Sequence, residues 1–316
     1  MAVDMKAIVI DRYGSVQELH EMTLPVPEIK ADEVLVKVAA TSVNPIDWRT
    51  RTGQMRRDGQ QFPLVLGWDV AGVISAVGAA VRHFQVGDAV FARSDHAGAD
   101  AQYVAIKADK LAMKPGNLSF VQAAAVPLAG MTAFQVIIDQ LQVVPGDRVL
   151  IQAGAGGVGL FAIQIAKAQG AYVITTASEA NREMLLRLGA DEVIDYHQTQ
   201  ITAAVHDLDA VFDTTNEIED GLAVLKPTGM LVSIAGRPTV AQQTGQPSAT
   251  HWWLHPSGKT LTQLGQLIAV HQVQVVIDSQ YPFTTAGVRA AHERSESHHA
   301  HGKIVIVVDE KLAEQA

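Results

Sequence analysis

Hydrophobic residues in the first 125 positions occur in short runs separated by turns. These runs are KAIVI (6–10), EVLVKVAATSV (33–43), DVAGVISAVG (69–78), DAVFA (88–92) and QYVAI (102–106). Gly, Pro and Asp residues lie between them, and the runs do not alternate with segments of helical length. The pattern predicts a compact β-barrel or sandwich-like domain in this part of the chain.

The pattern changes at about Gly146, where strands begin to alternate with helices. Residues 148–153 form an apolar run, a glycine turn follows, and residues 158–170 continue at helical spacing. Further elements are predicted as strands at 171–177, 192–196, 209–215 and 229–236, and as a helix at 180–189. This order predicts the α/β fold class, with a Rossmann doubly wound parallel sheet whose right-handed crossovers cover both faces.

The C-terminal part of the chain is less regular. Residues 237–258 are polar and predict a surface loop. The elements predicted after it are a helix at 259–272, a strand at 273–283, a helix at 284–297 and a last strand at 303–308.

Length, charge and cysteine content narrow the class of protein. The 316 residues, 48% of them hydrophobic, suit two globular domains. No run approaches the roughly 18 apolar residues of a membrane span, and the N-terminus lacks the order of a signal peptide, so a cytoplasmic location is expected. A formal charge of −9 argues against nucleic acid or an anionic membrane as partner. The chain has no cysteine, which excludes disulfides, thiol nucleophiles and thiolate zinc sites.

A glycine-rich turn, Gly154-Ala155-Gly156-Gly157-Val158-Gly159, lies between the predicted strand at 148–153 and the helix that follows it. Its spacing is G-x-G-x-x-G. The first glycine permits a sharp turn, the second lets the backbone approach a pyrophosphate, and the third allows close packing of helix on strand. A glycine turn of purely structural origin is the alternative, but the strand–turn–helix setting favours dinucleotide binding.

The residues after the next strand indicate which nicotinamide cofactor is bound. An NAD site places an acidic residue there to hold the ribose hydroxyls, whereas this chain has TTAS at 175–178, with Arg182 and Tyr196 further on. Hydroxyls and a guanidinium suit a 2′-phosphate, so NADPH is favoured. Ser178 is also compatible with a helix cap, Arg182 with a solvated side chain, and Glu179 with an NAD site.

Several motifs in one order resemble the medium-chain dehydrogenase/reductases. The likeness is to their zinc-independent quinone and enone oxidoreductase branch, which includes zeta-crystallin-like proteins. It covers nearly the whole chain, and its carriers are SVNPIDWRTRTG (42–53), GWDVAGVISAVG (67–78), VGDAVFA (86–92), AAAVPLAGMTAFQ (123–135), PGDRVLIQAGAGGVG (145–159), LGADEVIDY (188–196) and HGKIVIVV (301–308). The resemblance implies a GroES-like catalytic domain over residues 1–125, completed by 273–316, and a Rossmann NADPH-binding domain over 126–272. It also implies an active site in the cleft between them and assembly into homodimers or homotetramers.

The resemblance implies roles for individual residues. The cofactor-binding set is Asn44, Thr132, Gly154, Gly156, Gly157, Val158, Ser178, Arg182, Tyr196 and Lys303. Asn44 is expected to orient the acceptor carbonyl, and Trp48 to line the substrate pocket as a second catalytic-site residue. A plain Asn-Pro turn at Asn44, core packing of Trp48, a helix cap at Thr132 and surface positions for Tyr196 and Lys303 are the alternatives.

The same comparison predicts no metal site. Zinc alcohol dehydrogenases of this superfamily use a cysteine at or near the position of Asn44, and a Gly-His-Glu where this chain has Gly67-Trp68-Asp69. Four histidines at 292, 298, 299 and 301 are expected to form an exposed helix end rather than a metal site.

Hydride transfer without a metal suits quinones and α,β-unsaturated carbonyl compounds, because these acceptors need only positioning and hydrogen bonds. The expected function is an NADPH-dependent quinone or enone oxidoreductase. The alternatives are a medium-chain reductase of other carbonyl or acyl substrates, and a nucleotide-binding redox sensor or structural, crystallin-like protein.

Overall fold

The computed structural model describes residues 4–56, 59 and 61–314 of the chain. They form two compact units. The first comprises the described residues of Met1–Leu128, Pro256–Ala269 and Val275–Ala316, and the second comprises Ala129–His255 and Val270–Gln274. No helix among the described residues has both the length and the apolar character needed to cross a membrane.

Strands outnumber helices among the described elements of the first unit and alternate with helices in the second. In chain order they are Asp4–Ile10 (β1), His20–Pro25 (β2), Glu33–Val43 (β3), Leu64–Val65 (β4), Asp69–Val77 (β5), Ala89–Arg93 (β6), Tyr103–Lys107 (β7), Leu111–Met113 (β8), Arg148–Ile151 (β9), Tyr172–Ala177 (β10), Glu192–Asp195 (β11), Leu208–Asp213 (β12), Leu225–Ser233 (β13), Ser248–His251 (β14), Ile277–Pro282 (β15) and Lys303–Val307 (β16).

Helices are short in both units. They are Pro45–Arg51 (α1), Phe120–Ala124 (α2), Pro127–Phe134 (α3), Gly157–Ala168 (α4), Arg182–Arg187 (α5), Ile201–Ala204 (α6), Ile218–Ala223 (α7), Val240–Thr244 (α8), Gly258–Ala269 (α9), Thr285–Glu296 (α10) and Glu310–Ala313 (α11). A π-helical turn, Gln135–Gln140, extends α3, and single 3₁₀ turns occur at Val16–Glu18, Ala108–Lys110 and Glu179–Asn181.

The first unit is organised around β3. This strand pairs antiparallel with β5, β7 and β16, and nearly all of its residues are buried. The resulting sheet runs in the order β15-β16-β3-β5-β6-β8, and a smaller sheet runs β2-β1-β4. The long and largely apolar segment EVLVKVAATSV can be buried here because the strand has neighbours along its whole length.

The second unit is a six-stranded parallel sheet in the order β11-β10-β9-β12-β13-β14. The strand β9 pairs with β10 on one side and with β12 on the other. Helix α4 follows β9 and buries every residue from Gly159 to Ala166, as expected for a helix that covers the sheet. A β-rich unit combined with this doubly wound sheet confirms the predicted fold class.

The predicted surface loop at 237–258 is wrong in one respect, because it contains α8 and the strand β14. Ser248–His251 pairs with β13, and side chains then fix the segment that follows: Trp252 Nε1 and the His255 backbone N–H both donate to Gln135 Oε1, at 3.2 Å. The four residues SATH carry too little apolar pattern to indicate a strand.

Helix α9 belongs to the first compact unit, whereas the expected boundary at residue 272 placed it in the Rossmann domain. It packs on β8: a Cβ on Gly258 would lie 2.3 Å from the Leu111 carbonyl oxygen, and Asn117 Nδ2 donates to the Ile268 carbonyl at 3.0 Å. The apolar face of the helix does not reveal which unit it covers. The division of the chain into domains therefore stays a prediction.

One of the four clustered histidines is buried, so the expectation of an exposed cluster is wrong for His292. Arg51 Nε donates to His292 Nδ1 at 3.4 Å, and the same guanidinium pairs with Glu296. Burial, followed by the charge of Arg51, lowers the pKa of His292 to about 3. His298 and His299 are exposed, as expected.

His292 should make the protein sensitive to acid. An unfolded chain protonates this histidine below its ordinary pKa of 6.5, whereas the folded chain keeps it neutral down to about 3, so stability is lost as the pH falls between these values. In His292→Gln the loss of stability that comes from protonating this histidine should disappear. The slope of the unfolding free energy against pH should then be smaller by up to about 1.4 kcal/mol per pH unit. Urea unfolding from pH 4 to 8 measures the slope. The exposed His299→Gln is the control, and equal slopes in all three proteins would contradict the prediction.

Candidate functional site

The glycine turn after β9 leaves no room for larger residues at its first and last positions. A Cβ on Gly154 would lie 2.1 Å from Thr175 Oγ1, and one on Gly159 would lie 2.5 Å from the Ala153 carbonyl oxygen. A Cβ on Gly156 would have only one neighbour, the Ala153 oxygen at 3.2 Å. The first and third glycines therefore serve packing, whereas a methyl group at the second would meet a single backbone oxygen, which would have to shift by a few tenths of an ångström.

Two threonines of β10 hold this turn in place. Thr176 Oγ1 accepts from the Ala153 N–H at 2.9 Å, and Thr175 Oγ1 donates to the Ile151 carbonyl at 2.6 Å. Gly156 is the N-cap of α4, so the N–H groups of Gly157 and Val158 lie in the first turn of a 12-residue helix. Such groups have no partner within the helix and favour an anion. The turn therefore fits a pyrophosphate, through the residues expected from the sequence.

The residues expected at the adenosine phosphate follow neighbouring strands. Ala177 pairs with Asp195, so Ser178 and Tyr196 directly follow the carboxyl ends of β10 and β11. Ser178 Oγ accepts from Asn181 Nδ2 at 3.0 Å, and the Tyr196 side chain is 57% exposed. Ser178 is half-buried and Tyr196 is exposed, and both lie at the carboxyl edge of the sheet.

Arg182 begins α5 close to these hydroxyls, and its guanidinium is already paired. Its Nε donates to Glu179 Oε2 at 2.7 Å, and both side chains are more than a third exposed. An exposed pair of this kind contributes little stability, so the guanidinium can turn to another anion at small cost.

Asp213, at the end of β12, was missed by the sequence reasoning. Its Oδ1 accepts from the N–H groups of Thr215, Asn216 and Glu217, and its Oδ2 accepts from Ser233 Oγ at 2.5 Å. The Ser233 hydroxyl in turn accepts from two N–H groups of the loop after β13, those at 235 and 236. One buried carboxylate thus fixes two loops at the carboxyl edge of the sheet. An Asp followed by Thr-Thr-Asn after a strand is the signal that could have indicated it.

In the first unit, Asn44 is buried and its amide is held from both sides. Its Nδ2 donates to Asp69 Oδ2 at 2.9 Å and, more weakly, to the Ser42 carbonyl at 3.4 Å, while its Oδ1 accepts from Lys303 Nζ. Both amide N–H groups are thereby used within the unit. In this arrangement the N–H₂ group of Asn44 faces the Asp69 carboxylate and its amide oxygen faces Lys303.

Lys303 is buried rather than at the surface. Its Nζ contacts Asn44 Oδ1, the Val43 carbonyl at 3.4 Å and Asp69 Oδ2 at 3.7 Å. Burial lowers the pKa of Lys303, and the nearby carboxylates of Asp69 and Asp47 oppose this shift. Its ammonium therefore faces the Asn44 side chain.

Two further buried aspartates lie close to this group. Asp47 accepts from the N–H groups of Asn44 and Gly67, and burial raises its pKa to about 7. Burial, together with the charge of Asp47, raises the pKa of Asp100 well above its ordinary value. The first unit thus keeps a proton on buried carboxyl groups at pH values where surface aspartates are ionised.

The remaining two predicted residues are buried. Trp48 is 9% exposed and its ring meets that of His298 edge-to-face, with centroids 5.9 Å apart. Thr132 is 5% exposed within α3. Packing accounts for the position of Trp48, and substrate contact by this residue stays a prediction.

Comparison with known proteins gives a consistent result. A family model described as "Alcohol dehydrogenase GroES-like domain" matches residues 30–146, and one described as "Zinc-binding dehydrogenase" matches residues 188–306. The chain is 37% identical to the chloroplastic NADPH-dependent alkenal/one oxidoreductase of Arabidopsis thaliana, over 96% of this chain and 79% of that protein.

Two solved structures are similar over nearly their whole length. The quinone oxidoreductase of Coxiella burnetii has a TM-score of 0.88 at 36% identity, and the match covers 97% of this chain and 100% of the Coxiella chain. The Escherichia coli quinone oxidoreductase complexed with NADPH has a TM-score of 0.85 at 28% identity, covering 96% of this chain and 100% of that one.

The name of the second family model raises the question of zinc. The chain has no cysteine, and in the part of it that the structure describes no three His, Asp or Glu side chains are grouped so that they could hold a metal ion. A catalytic zinc requires three protein ligands. The described residues do not fit such a site.

The different surroundings of Gly154 and Gly156 predict different effects of the same substitution. Gly154→Ala should destabilise the protein by about 1–3 kcal/mol through overpacking against Thr175, whereas Gly156→Ala, whose methyl group meets only the Ala153 oxygen at 3.2 Å, should be destabilised less and should weaken NADPH binding, because the methyl group keeps the pyrophosphate from the backbone of the turn. Urea unfolding and fluorescence titration measure the two effects. Undiminished NADPH affinity in Gly156→Ala would contradict this assignment of the turn.

Proposed function

Because the chain belongs to the medium-chain dehydrogenase/reductase family, in its quinone and alkenal/one oxidoreductase branch, we propose that it reduces quinones or α,β-unsaturated carbonyl compounds with NADPH. When bound, NADPH supplies the hydride. The single observation that carries the proposal is the turn at Gly154–Gly159, where packing requires two glycines, a third is the least crowded, and the first N–H groups of α4 follow. NADPH-dependent relatives support the choice of cofactor.

The second unit holds the phosphates. Backbone N–H groups of Gly157 and Val158 bind the pyrophosphate, together with the turn at Gly154 and Gly156. Ser178, Tyr196 and the Arg182 guanidinium bind the 2′-phosphate. This assignment is supported by the strand register that brings Ser178 and Tyr196 together and by the absence of an acidic side chain at residues 175–178.

The first unit supplies a hydrogen-bond acceptor for the cofactor. Asn44 Oδ1, which already accepts from Lys303, has a second lone pair that accepts from a nicotinamide ribose hydroxyl, and Asp69 keeps the amide in this orientation. Lys303 supports the cofactor through Asn44. Thr132, which belongs to the second unit, contacts the nicotinamide amide. Trp48 borders the substrate.

The class of substrate that accepts the hydride follows from the groups that the described residues can supply. Without a set of three metal ligands among the described residues, the substrate carbonyl is activated by hydrogen bonds alone. A quinone or enone carries its own acceptor position, so positioning and stabilisation of the developing oxyanion suffice. The protein acts as a homodimer or homotetramer. The cytoplasmic location stays a prediction, because the Arabidopsis relative is a chloroplast protein.

The reaction is tested by the loss of NADPH absorbance with a panel of quinones, 2-alkenals, enones and saturated ketones. We expect turnover with quinones or enones and at least about tenfold lower kcat/KM for saturated ketones, because only the former have an electron-poor position that accepts hydride without strong polarisation. Tight NADPH binding without turnover of any acceptor would favour a redox sensor. Preferential turnover of saturated ketones would contradict the proposed acceptor class.

Cofactor preference is tested with two arginines of the same helix. Arg182→Ala should weaken NADPH binding about tenfold or more while changing NADH binding little, because only NADPH carries the 2′-phosphate that a charge-assisted hydrogen bond holds. Arg187→Ala removes a similar exposed ion pair, with Glu183, and should affect neither cofactor. Calorimetric titration gives the dissociation constants. Equal weakening of NADPH and NADH by Arg182→Ala would remove the 2′-phosphate assignment.

A further inference from the structure

The strand order of the second unit has a reversal point between β9 and β12. These strands pair directly and in parallel, with Val211 opposite Leu150 and Phe212 opposite Ile151. The chain leaves β9 toward β10 and leaves β12 toward β13, so the topological switch point, at which doubly wound sheets bind their ligands, lies between the carboxyl ends of these two strands. The glycine turn lies on one side of this switch point. Residues 214–217 occupy the other, and the proposed function gives them no role.

Glu217 is the charged residue on that side, and it is held firmly. Gln152 Nε2 donates to Glu217 Oε2 at 3.1 Å, and the Glu217 N–H donates to Asp213 Oδ1 at 3.2 Å. Thr214 Oγ1 donates to the Gln152 carbonyl at 2.8 Å, which ties the two loops together. Gln152 is fully buried, whereas Glu217 is exposed. The carboxylate of Glu217 is thus held by Gln152 and is exposed beside the switch point.

Gln152 gives a second indication of a polar ligand. Its Oε1 is buried and has no hydrogen-bond partner in the described part of the chain. Because the carboxylate of Glu217 accepts hydrogen bonds only, the amide must turn its N–H₂ group toward Glu217, which leaves Oε1 on the other side. An unsatisfied buried acceptor costs free energy unless a further donor or a water molecule reaches it. Gln152 therefore orients the Glu217 carboxylate with its N–H₂ group and leaves its own amide oxygen for a further donor.

We propose that Glu217 is a cofactor-binding residue, which accepts hydrogen bonds from the ribose hydroxyls of the nicotinamide half of NADPH. The inference rests on the proposed function. In a doubly wound sheet the first three strands, here β9–β11, serve the adenosine half, and the next three, β12–β14, serve the other mononucleotide. Glu217 follows the first strand of the second half. A carboxylate repels phosphates but accepts from hydroxyls, which restricts its partner to the riboside.

Two ligands distinguish this role from a general effect on binding. NADPH contains both halves of the cofactor, and 2′,5′-ADP contains only the adenosine half with its 2′-phosphate. In Glu217→Ala the affinity for NADPH should fall about tenfold or more, the effect expected for loss of hydrogen bonds to a charged group, and the affinity for 2′,5′-ADP should change less than about twofold. Glu217→Gln keeps the size and one acceptor, so its loss should be intermediate. Glu219→Ala removes a nearby exposed carboxylate of α7 and is the matched control, expected to change neither affinity.

Calorimetric titration of each variant decides between the outcomes. Equal losses for NADPH and 2′,5′-ADP, or unchanged or tighter NADPH binding in both Glu217 variants, would overturn this inference while the proposed function stands. A matching loss in Glu219→Ala would also overturn it, since the effect would then be one of net charge. Wild-type protein that binds neither ligand would overturn the proposed function and this inference with it.

Discussion

Parallel pairing of β9 with β10 on one side and β12 on the other is the constraint on which the candidate site depends. It brings the ends of three strands to one edge, so that the glycine turn, the threonines of β10 and the Asp213 loop become neighbours. Each loop is then fixed by side chains that the strands themselves deliver: Thr175 and Thr176 hold the turn, and Asp213 with Ser233 holds the next two loops. The side chains that support the site therefore belong to the sheet itself.

The sequence predicts those strands, helices and turns that are specified by the pattern of their own residues. Apolar runs with a helical or strand period located most elements of the sheet, and the G-x-G-x-x-G spacing placed the turn between β9 and α4. These signals are local, because each strand or helix is specified by its own residues. The same holds for Ser178 and Tyr196, whose positions at successive strand ends follow from the order of the elements.

Features that depend on distant partners could not be predicted in this way. The strand β14 exists because β13 offers it an edge, and Gln135, more than a hundred residues earlier, fixes the segment after it. His292 lies in a segment whose composition is typical of an exposed helix end, yet its position on α10 places it against Arg51. The sequence around Asn44 gives no sign that the carboxylate of Asp69 accepts from its amide N–H₂ group. In each case the deciding residue is far away in sequence.

The buried charges around Asn44 show what such distant contacts achieve. Burying a carboxylate and an ammonium costs more than their attraction returns in most proteins, so a pair like Asp69 and Lys303 is weak evidence of stability. Its effect here is directional. The carboxylate fixes which end of the Asn44 amide carries the N–H₂ group, and the ammonium stabilises the oxygen at the other end. An amide without charged neighbours could rotate by half a turn at little cost, whereas this one cannot. The pair therefore determines the hydrogen-bond polarity of the Asn44 amide, as the proposed acceptor role requires.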